Sequence, residues 1–311
     1  MLQRRPLGAS GIDVSVLSLG SWRTYEHISR EQGLAVMNSA RECGIDFLDD
    51  ARYNDETGMA PLQTGYSEVV FGELFRAAGW RRDEVVVANK LWWEFWPKES
   101  AQQELDSSLT RMGFDHIDLI YATAPPEGLD AAEIVESVGG LISSGKARAW
   151  GVVNWPPELL VESARLARAS GVPLPCAAQL AYNVIWRSSV EGAEESIALR
   201  EACVSVVASA VLVYGALTGK YADPEMTGRL AAKRHEPIFK EAVDAASTLA
   251  ELAARFSTTP AALAIAFALA GPRVASVLFG ATRPEQVREN AKALDVDPAV
   301  VAELRRTYPL R

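Results

Sequence analysis

Short runs of β-branched and other apolar residues alternate along this chain with longer segments whose apolar positions recur every three to four residues. The short runs read as strands over Val14–Leu19, Asp46–Asp50, Glu84–Lys90, Ile117–Thr123, Ala147–Val153, Cys176–Ala181, Val204–Val211 and Val274–Phe279. The longer segments read as helices over Arg30–Glu42, Ser67–Ala78, Ala101–Met112, Ala131–Ser144, Pro157–Ala169, Glu194–Ala202, Ile238–Ala254 and Pro284–Ala293. Val69, Val70, Leu74 and Phe75 fall on one side of the second helix, as a helical period requires. Eight strand–helix repeats predict an α/β fold, a closed (β/α)8 TIM barrel. An open doubly wound sheet is the competitor, but the GxGxxG turn it would use for a dinucleotide is absent. Arg4–Ser15 reads as an N-terminal β-hairpin closing the barrel's bottom. Pro260–Ala270 and Pro298–Tyr308 read as extra C-terminal helices. No linker divides the chain, so residues 1–311 are expected to form a single domain. Thr227–Pro237, with Arg229, Lys233 and Arg234, is the expected mobile excursion, and by composition alone it is a solvated loop.

Composition narrows the function classes. With 49% hydrophobic and 23% charged residues the chain is ordinary for a globular protein. A net charge of −9 disfavours a nucleic-acid or anionic-membrane surface. Cys43, Cys176 and Cys203 are scattered and lack CxxC spacing, which fits reduced thiols in a cytoplasmic protein. The start of the chain lacks an apolar signal core. The longest apolar run, Ala261–Gly271, is too short to span a bilayer. No HExxH or other metal-ligand spacing appears, nor a GxSxG nucleophile elbow.

In such a barrel, reacting groups sit where strands end and the following loops begin. Asp49 and Asp50, Tyr53, Lys90, Thr123, Asn154 and Gln179 fall in that zone. Lys90 follows the buried run Val85–Ala88 and needs a counter-charge, for which Asp49 is the natural partner. A lysine–aspartate pair beside Tyr53 would draw a phenol with an ordinary pKa of ~10 toward neutrality and make it an acid–base group. The alternative is an ion pair that only fixes strand register. His116 precedes its strand at the barrel's bottom. His27 and His235 lie in loops near the expected top, where a surface position is the ordinary reading and a pocket role for His27 the minor one.

At Gly44-Ile45-Asp46-Phe47-Leu48-Asp49 the chain resembles the aldo-keto reductase family. Tyr66-Ser67-Glu68 through Gly72, Ile117-Asp118-Leu119 leading to Pro125, Gly151-Val152-Val153-Asn154-Trp155, Gln179 with Tyr182-Asn183, Leu217–Tyr221 and Gly280–Asn290 extend the likeness in the family's order. The branch it most resembles is that of potassium-channel β-subunit-like reductases. The resemblance implies a catalytic set of Asp49, Tyr53, Lys90 and Thr123, with two departures. The family's tyrosine usually comes five residues after its aspartate; here Tyr53 comes four after Asp49, position 54 is Asn54, and Tyr25 is another candidate phenol. Where the family usually has histidine, or an amide in the channel-related branch, this chain has Thr123, which donates one hydrogen bond but offers no proton titrating near neutrality.

The same resemblance implies a dinucleotide lying across the barrel mouth. Ser21 and Trp22 would contact its nicotinamide end, with Asp49 beside them. Asn154 and Gln179 would hold the carboxamide and Tyr182 would stack on the ring. Leu212, Lys220 and Arg229 would follow the pyrophosphate; Glu289 and Asn290 would read the adenine. Gly280, Thr282, Arg283 and Gln286 would surround the N-terminus of the helix at Pro284, which suits an anion and favours NADP(H) over NAD(H). Tyr25, Trp92 and Trp93 are the expected substrate-pocket residues; the aromatics Trp92, Trp93, Phe95 and Trp96 read as a wall for a flat apolar carbonyl or alcohol, or else as a lid packed on neighbouring helices. The expected activity is carbonyl reduction or the reverse; the alternative is a cofactor-binding regulatory module with little catalysis.

Overall fold

The computed structural model describes residues 2–221, 233 and 235–310. A short antiparallel hairpin, β1 (Arg4–Pro6) with β2 (Asp13–Ser15), opens the chain. Eight parallel strands follow: β3 (Leu17–Gly20), β4 (Phe47–Asp49), β5 (Val86–Leu91), β6 (Ile117–Ala122), β7 (Ala147–Val153), β8 (Ala177–Ala181), β9 (Ser205–Ser209) and β10 (Val274–Phe279). They close into a barrel in which β10 returns to β3. Around it run α1 (Arg30–Glu42), α2 (Tyr66–Ala77), α3 (Ala101–Met112), α4 (Ala131–Ser143), α5 (Pro157–Ser170), the short α6 (Ser188–Glu191) and α7 (Ala193–Glu201). The shell is completed by α8 (Pro237–Arg255), α9 (Pro260–Leu269), α10 (Pro284–Ala291) and α11 (Pro298–Thr307). This is the (β/α)8 barrel that the alternating periodicities predict, with its hairpin and extra helices.

Local chemistry explains the helix starts. Ser29 with Gln32, Ser100 with Gln103 and Asp130 with Glu133 form reciprocal capping boxes on α1, α3 and α4. Two strand boundaries differ from expectation. Asp13–Ser15 pairs within the hairpin, so the first barrel strand begins at Leu17 and not at Val14. β9 stops at Ser209 because Ala210, Val213 and Tyr214 take positive φ and turn the chain at the mouth.

The strands' two-residue alternation sorts side chains into two cores. Phe47, Val86, Ala88, Leu119, Tyr121, Ala149, Ala177 and Val207 fill the barrel, and Leu7, Ile12 and Val14 of the hairpin region plug its lower end. The opposite faces pack against the helices in a second, larger cluster. Within the barrel, Gly151 makes room for Tyr121: a Cβ there would lie 3.0 Å from its ring and 2.5 Å from the Ala177 carbonyl oxygen. Following the inward series upward, Asp49 succeeds Phe47, Lys90 succeeds Ala88, Thr123 succeeds Tyr121, and Gln179 succeeds Ala177. The apolar core therefore ends in a polar layer at the carboxyl ends of the strands. Among the described residues no single helix is long and apolar enough to cross a membrane.

Candidate active site

The polar layer is joined by direct contacts. Lys90 Nζ donates to Asp49 Oδ1 at 2.5 Å and to the Tyr53 phenol oxygen at 3.4 Å, with the Asp50 carbonyl at 3.5 Å. Gln179 Nε2 donates to the other Asp49 oxygen at 2.9 Å. Both members of the ion pair are about 95% buried, with side-chain exposures of 5% and 3%. The Tyr121 ring lies 6.0 Å from the ammonium. Lys90 therefore faces a carboxylate, a carbonyl and a phenol, and its contact to Tyr53 uses a phenol lone pair. That leaves the Tyr53 O–H free to donate elsewhere. The four-residue spacing from Asp49 does not prevent the meeting. Tyr53 N is held by the Ala51 carbonyl at 2.9 Å, and the Tyr53 carbonyl accepts from Gly65 N at 2.9 Å, so the loop is pinned on both sides.

The electrostatics differ from the expected acidified phenol. Burial, together with the negative charges of Asp49, Asp50, Glu26 and Glu68, holds the Tyr53 phenol well above its ordinary value. At neutral pH Tyr53 is a proton donor, not a phenolate.

Other expected roles also change. The Thr123 hydroxyl donates to the Leu91 carbonyl at 2.9 Å, so its proton is committed to the barrel wall and does not orient a substrate oxygen. Tyr25 is 2% exposed and packs in the outer core, where it presents no surface to a substrate; burial and Asp50 raise its phenol. Trp93 is 3% exposed and packs in the same core. Trp92 does reach the mouth, its ring edge-on to Tyr53 at 6.0 Å. Tyr182 is fully buried: its hydroxyl donates to Glu191 at 2.5 Å, accepts from Arg305 at 3.1 Å, and its ring lies 6.0 Å from Phe267 of α9. It presents no face for a nicotinamide. The aromatic pair at this rim is instead Trp22 and Tyr214, 5.5 Å apart. Arg229 lies outside the described residues.

A model of the Aldo/keto reductase family matches residues 16–308 of this sequence. The chain belongs to the aldo/keto reductase family. It is 29% identical over 319 residues to a probable voltage-gated potassium channel subunit beta of rice, covering 97% of this chain and 94% of that protein. It is 28% identical to the corresponding Arabidopsis thaliana protein, covering 96% and 92%, and 29% identical to a putative subunit beta of Schizosaccharomyces pombe, covering 96% and 90%. Membership makes this an oxidoreductase fold that uses a nicotinamide cofactor.

The residues at the mouth of this aldo/keto reductase fit the nicotinamide end of such a group. Asn154 sits at φ 50, a backbone that asparagine tolerates better than most residues, held by its N–H on the Gln179 carbonyl at 3.0 Å. Its Oδ1 accepts from Ala181 N at 3.3 Å, so its amide nitrogen remains to donate. Gln179 spends its amide nitrogen on Asp49, and its side chain lies beside the Tyr121 hydroxyl. The Asn154 amide is thus a donor that a carboxamide oxygen can use. Ser21 is tied by its hydroxyl to Asp50 and by its N–H to the Asp49 carbonyl. Leu212 and exposed Lys220 follow β9, the Lys220 ammonium 4.7 Å from the Tyr221 ring. At the start of α10, Gln286 Oε1 accepts from Thr282 N, Thr282 Oγ1 and Arg283 N, while the Arg283 side chain stands exposed. Gly280 is exposed just before this turn; Glu289 is exposed further along α10 and Asn290 is buried under it.

Asp50 was marked by its strand-end position alone, and two further groups near the site, Tyr121 and Arg52, were not singled out from the sequence. Asp50 is fully buried, with Oδ2 unpartnered and its carboxyl pushed well up by burial and by Glu68. Tyr121, beneath Lys90, has a hydroxyl shifted upward by burial and by Asp49, with the Gln179 side chain within reach. Arg52 points away from Tyr53 into a cluster of three glutamates. The consecutive aspartates and the Glu94, Glu99, Glu104 series were visible, but which of them meets Arg52 depends on the packing of two loops.

Proposed function

We propose that the chain, as one barrel domain, is an NADP(H)-dependent reductase of aldehydes or ketones in which Tyr53 is the general acid. The Asp49–Lys90–Tyr53 contact chain at the carboxyl ends of β4 and β5 carries this reading. Asn154 and Gln179 would hold the nicotinamide carboxamide, and Lys220 and the α10 N-terminus the phosphates. When bound, the cofactor supplies hydride to the carbonyl carbon. Tyr53 gives its proton to the carbonyl oxygen, for which its raised phenol is already in the required form. The phenolate left behind lies 3.4 Å from the Lys90 ammonium, which stabilises that charge as it forms. Asp49 and Gln179 fix Lys90 in place. Trp92, beside Tyr53, gives the mouth an apolar wall that suits a flat carbonyl compound. The exposed Arg283, with no ion pair among the described residues, favours the extra phosphate of NADP(H) over a free ribose hydroxyl. The free cysteines fit a reducing cytoplasm.

A second reading is a cofactor-holding subunit with little turnover. It is favoured by the committed Thr123 hydroxyl and by the relatives' names as potassium channel β-subunits. Titration with NADPH and NADH, followed by a panel of aromatic and aliphatic carbonyls, separates the two. Many turnovers per site, abolished in Tyr53→Phe with NADPH binding retained, support the enzyme. Tight NADPH binding without turnover on any carbonyl supports the subunit.

A further inference from the structure

Arg52 is an arginine with 2% side-chain exposure placed immediately before Tyr53. Its guanidinium lies 3.0 Å from Glu99 and 3.1 Å from Glu104, with Glu94 at 3.8 Å and the Phe95 ring 5.1 Å below. Glu104, on α3 and 3% exposed, does more than balance this charge. Its Oε1 accepts from Trp92 N at 2.8 Å and its Oε2 from Trp93 N at 3.2 Å. Trp93 has φ 60, a left-handed backbone that a bulky residue rarely takes and that the surrounding contacts must hold. Asn54, on the other side of Tyr53, donates to Glu94 at 3.0 Å. Two loops that share no strand pairing are thus fastened through one guanidinium and one buried carboxylate. The consequence is the edge-on placement of Trp92 against Tyr53.

We propose that Arg52 and Glu104 are positioning residues that set the Tyr53–Trp92 spacing and thereby the preference for aromatic over aliphatic carbonyl substrates. The proposal rests on the reductase reading for its substrate, not for its geometry. A neutral amide at 104 keeps one acceptor for the backbone but loses the pull on Arg52 and one of the two anchored N–H groups. Trp92 then leaves Tyr53, and the contribution of one aromatic contact is lost, a drop of about tenfold in relative specificity.

The test measures kcat/KM for NADPH-dependent reduction of 4-nitrobenzaldehyde and of propanal. Glu104→Gln is expected to lower the aromatic-to-aliphatic ratio about tenfold with the NADPH dissociation constant unchanged. In a Trp92→Ala background the same substitution is expected to lower the ratio no further, whereas a general structural defect would add its loss to both. An unchanged ratio in folded Glu104→Gln, additive losses in the double variant, or a wild type without aromatic preference overturns the proposal. Should Glu104→Gln fail to fold, Arg52→Lys, which keeps the charge but not the two-pronged geometry, is read in the same way. If the wild type reduces neither aldehyde, the reductase reading has failed and the clamp is read without turnover. In 5-fluorotryptophan-labelled protein, the 19F resonance assigned to Trp92 by Trp92→Phe must move or broaden in Glu104→Gln. A resonance that stays in place overturns the proposal.

Discussion

Replacing Lys90 by methionine removes one partner from a deeply buried ion pair at the mouth. Methionine fills most of the volume, so the dominant effect is electrostatic. Asp49 keeps its hydrogen bond from Gln179 at 2.9 Å but loses the only cation paired with it among the described residues, in a setting where it is 3% exposed. Stripping one member from such a pair costs about 3–5 kcal/mol because the remaining charge is stranded. The retained Gln179 bond places the expected loss near the lower end. For a chain this long about 2 °C per kcal/mol applies, so a loss near about 3 kcal/mol should lower thermal unfolding by about 6 °C. Adding Asp49→Asn keeps an acceptor for Gln179 and removes the stranded charge, so the double variant should recover at least half of the loss. Reversible urea unfolding of wild type, both single variants and the double variant gives the coupling directly. Losses that simply add in the double variant would refute the view that Asp49 and Lys90 stabilise one another as charges.

Tyr53→Phe removes the proposed acid together with one 3.4 Å contact, so kcat should fall by about 10²–10⁴ while stability changes by no more than about 1 kcal/mol; parallel steady-state kinetics and urea unfolding check the split. Because the Tyr53 phenol is held above its ordinary value, reduction should be flat in pH through neutrality, whereas alcohol oxidation, which needs the phenolate, should rise with pH; a reduction rate falling between pH 6 and 8 contradicts this. Asp50 has a raised folded-state pKa, so its contribution to stability is present below about 3.8 and is lost as pH rises. Asp50→Asn should therefore gain stability relative to wild type by up to about 1.4 kcal/mol per pH unit above pH 4, until the buried carboxyl ionises; a pH-independent difference in unfolding free energy would count against it. Gly151→Ala puts a methyl group 2.5 Å from the Ala177 carbonyl oxygen and against the Tyr121 ring, and should cost about 1–3 kcal/mol in urea unfolding.

The local pattern determined the barrel because each element carries its own signal: continuous apolar strands, a helical period, and Ser or Asp caps that stop and start the chain. It also placed Asp49 and Lys90 at strand ends, where two-residue alternation leaves little freedom over which side each faces. The hairpin took Asp13–Ser15 away from the first barrel strand because a strand-forming run does not name its partner. The family resemblance implies a stacking role for Tyr182, yet the packing of α9 and α11 turns its ring away from the mouth, onto Glu191 and Arg305. The Thr123 proton and the upward shift of Tyr53 likewise depend on which carbonyl and which carboxylates fold within reach. Periodicity and turn chemistry act over a few residues, and those the sequence alone states. Pairing between loops, ring orientation and the state of a buried proton are sums over groups distant in the chain, and only the closed barrel brings them together.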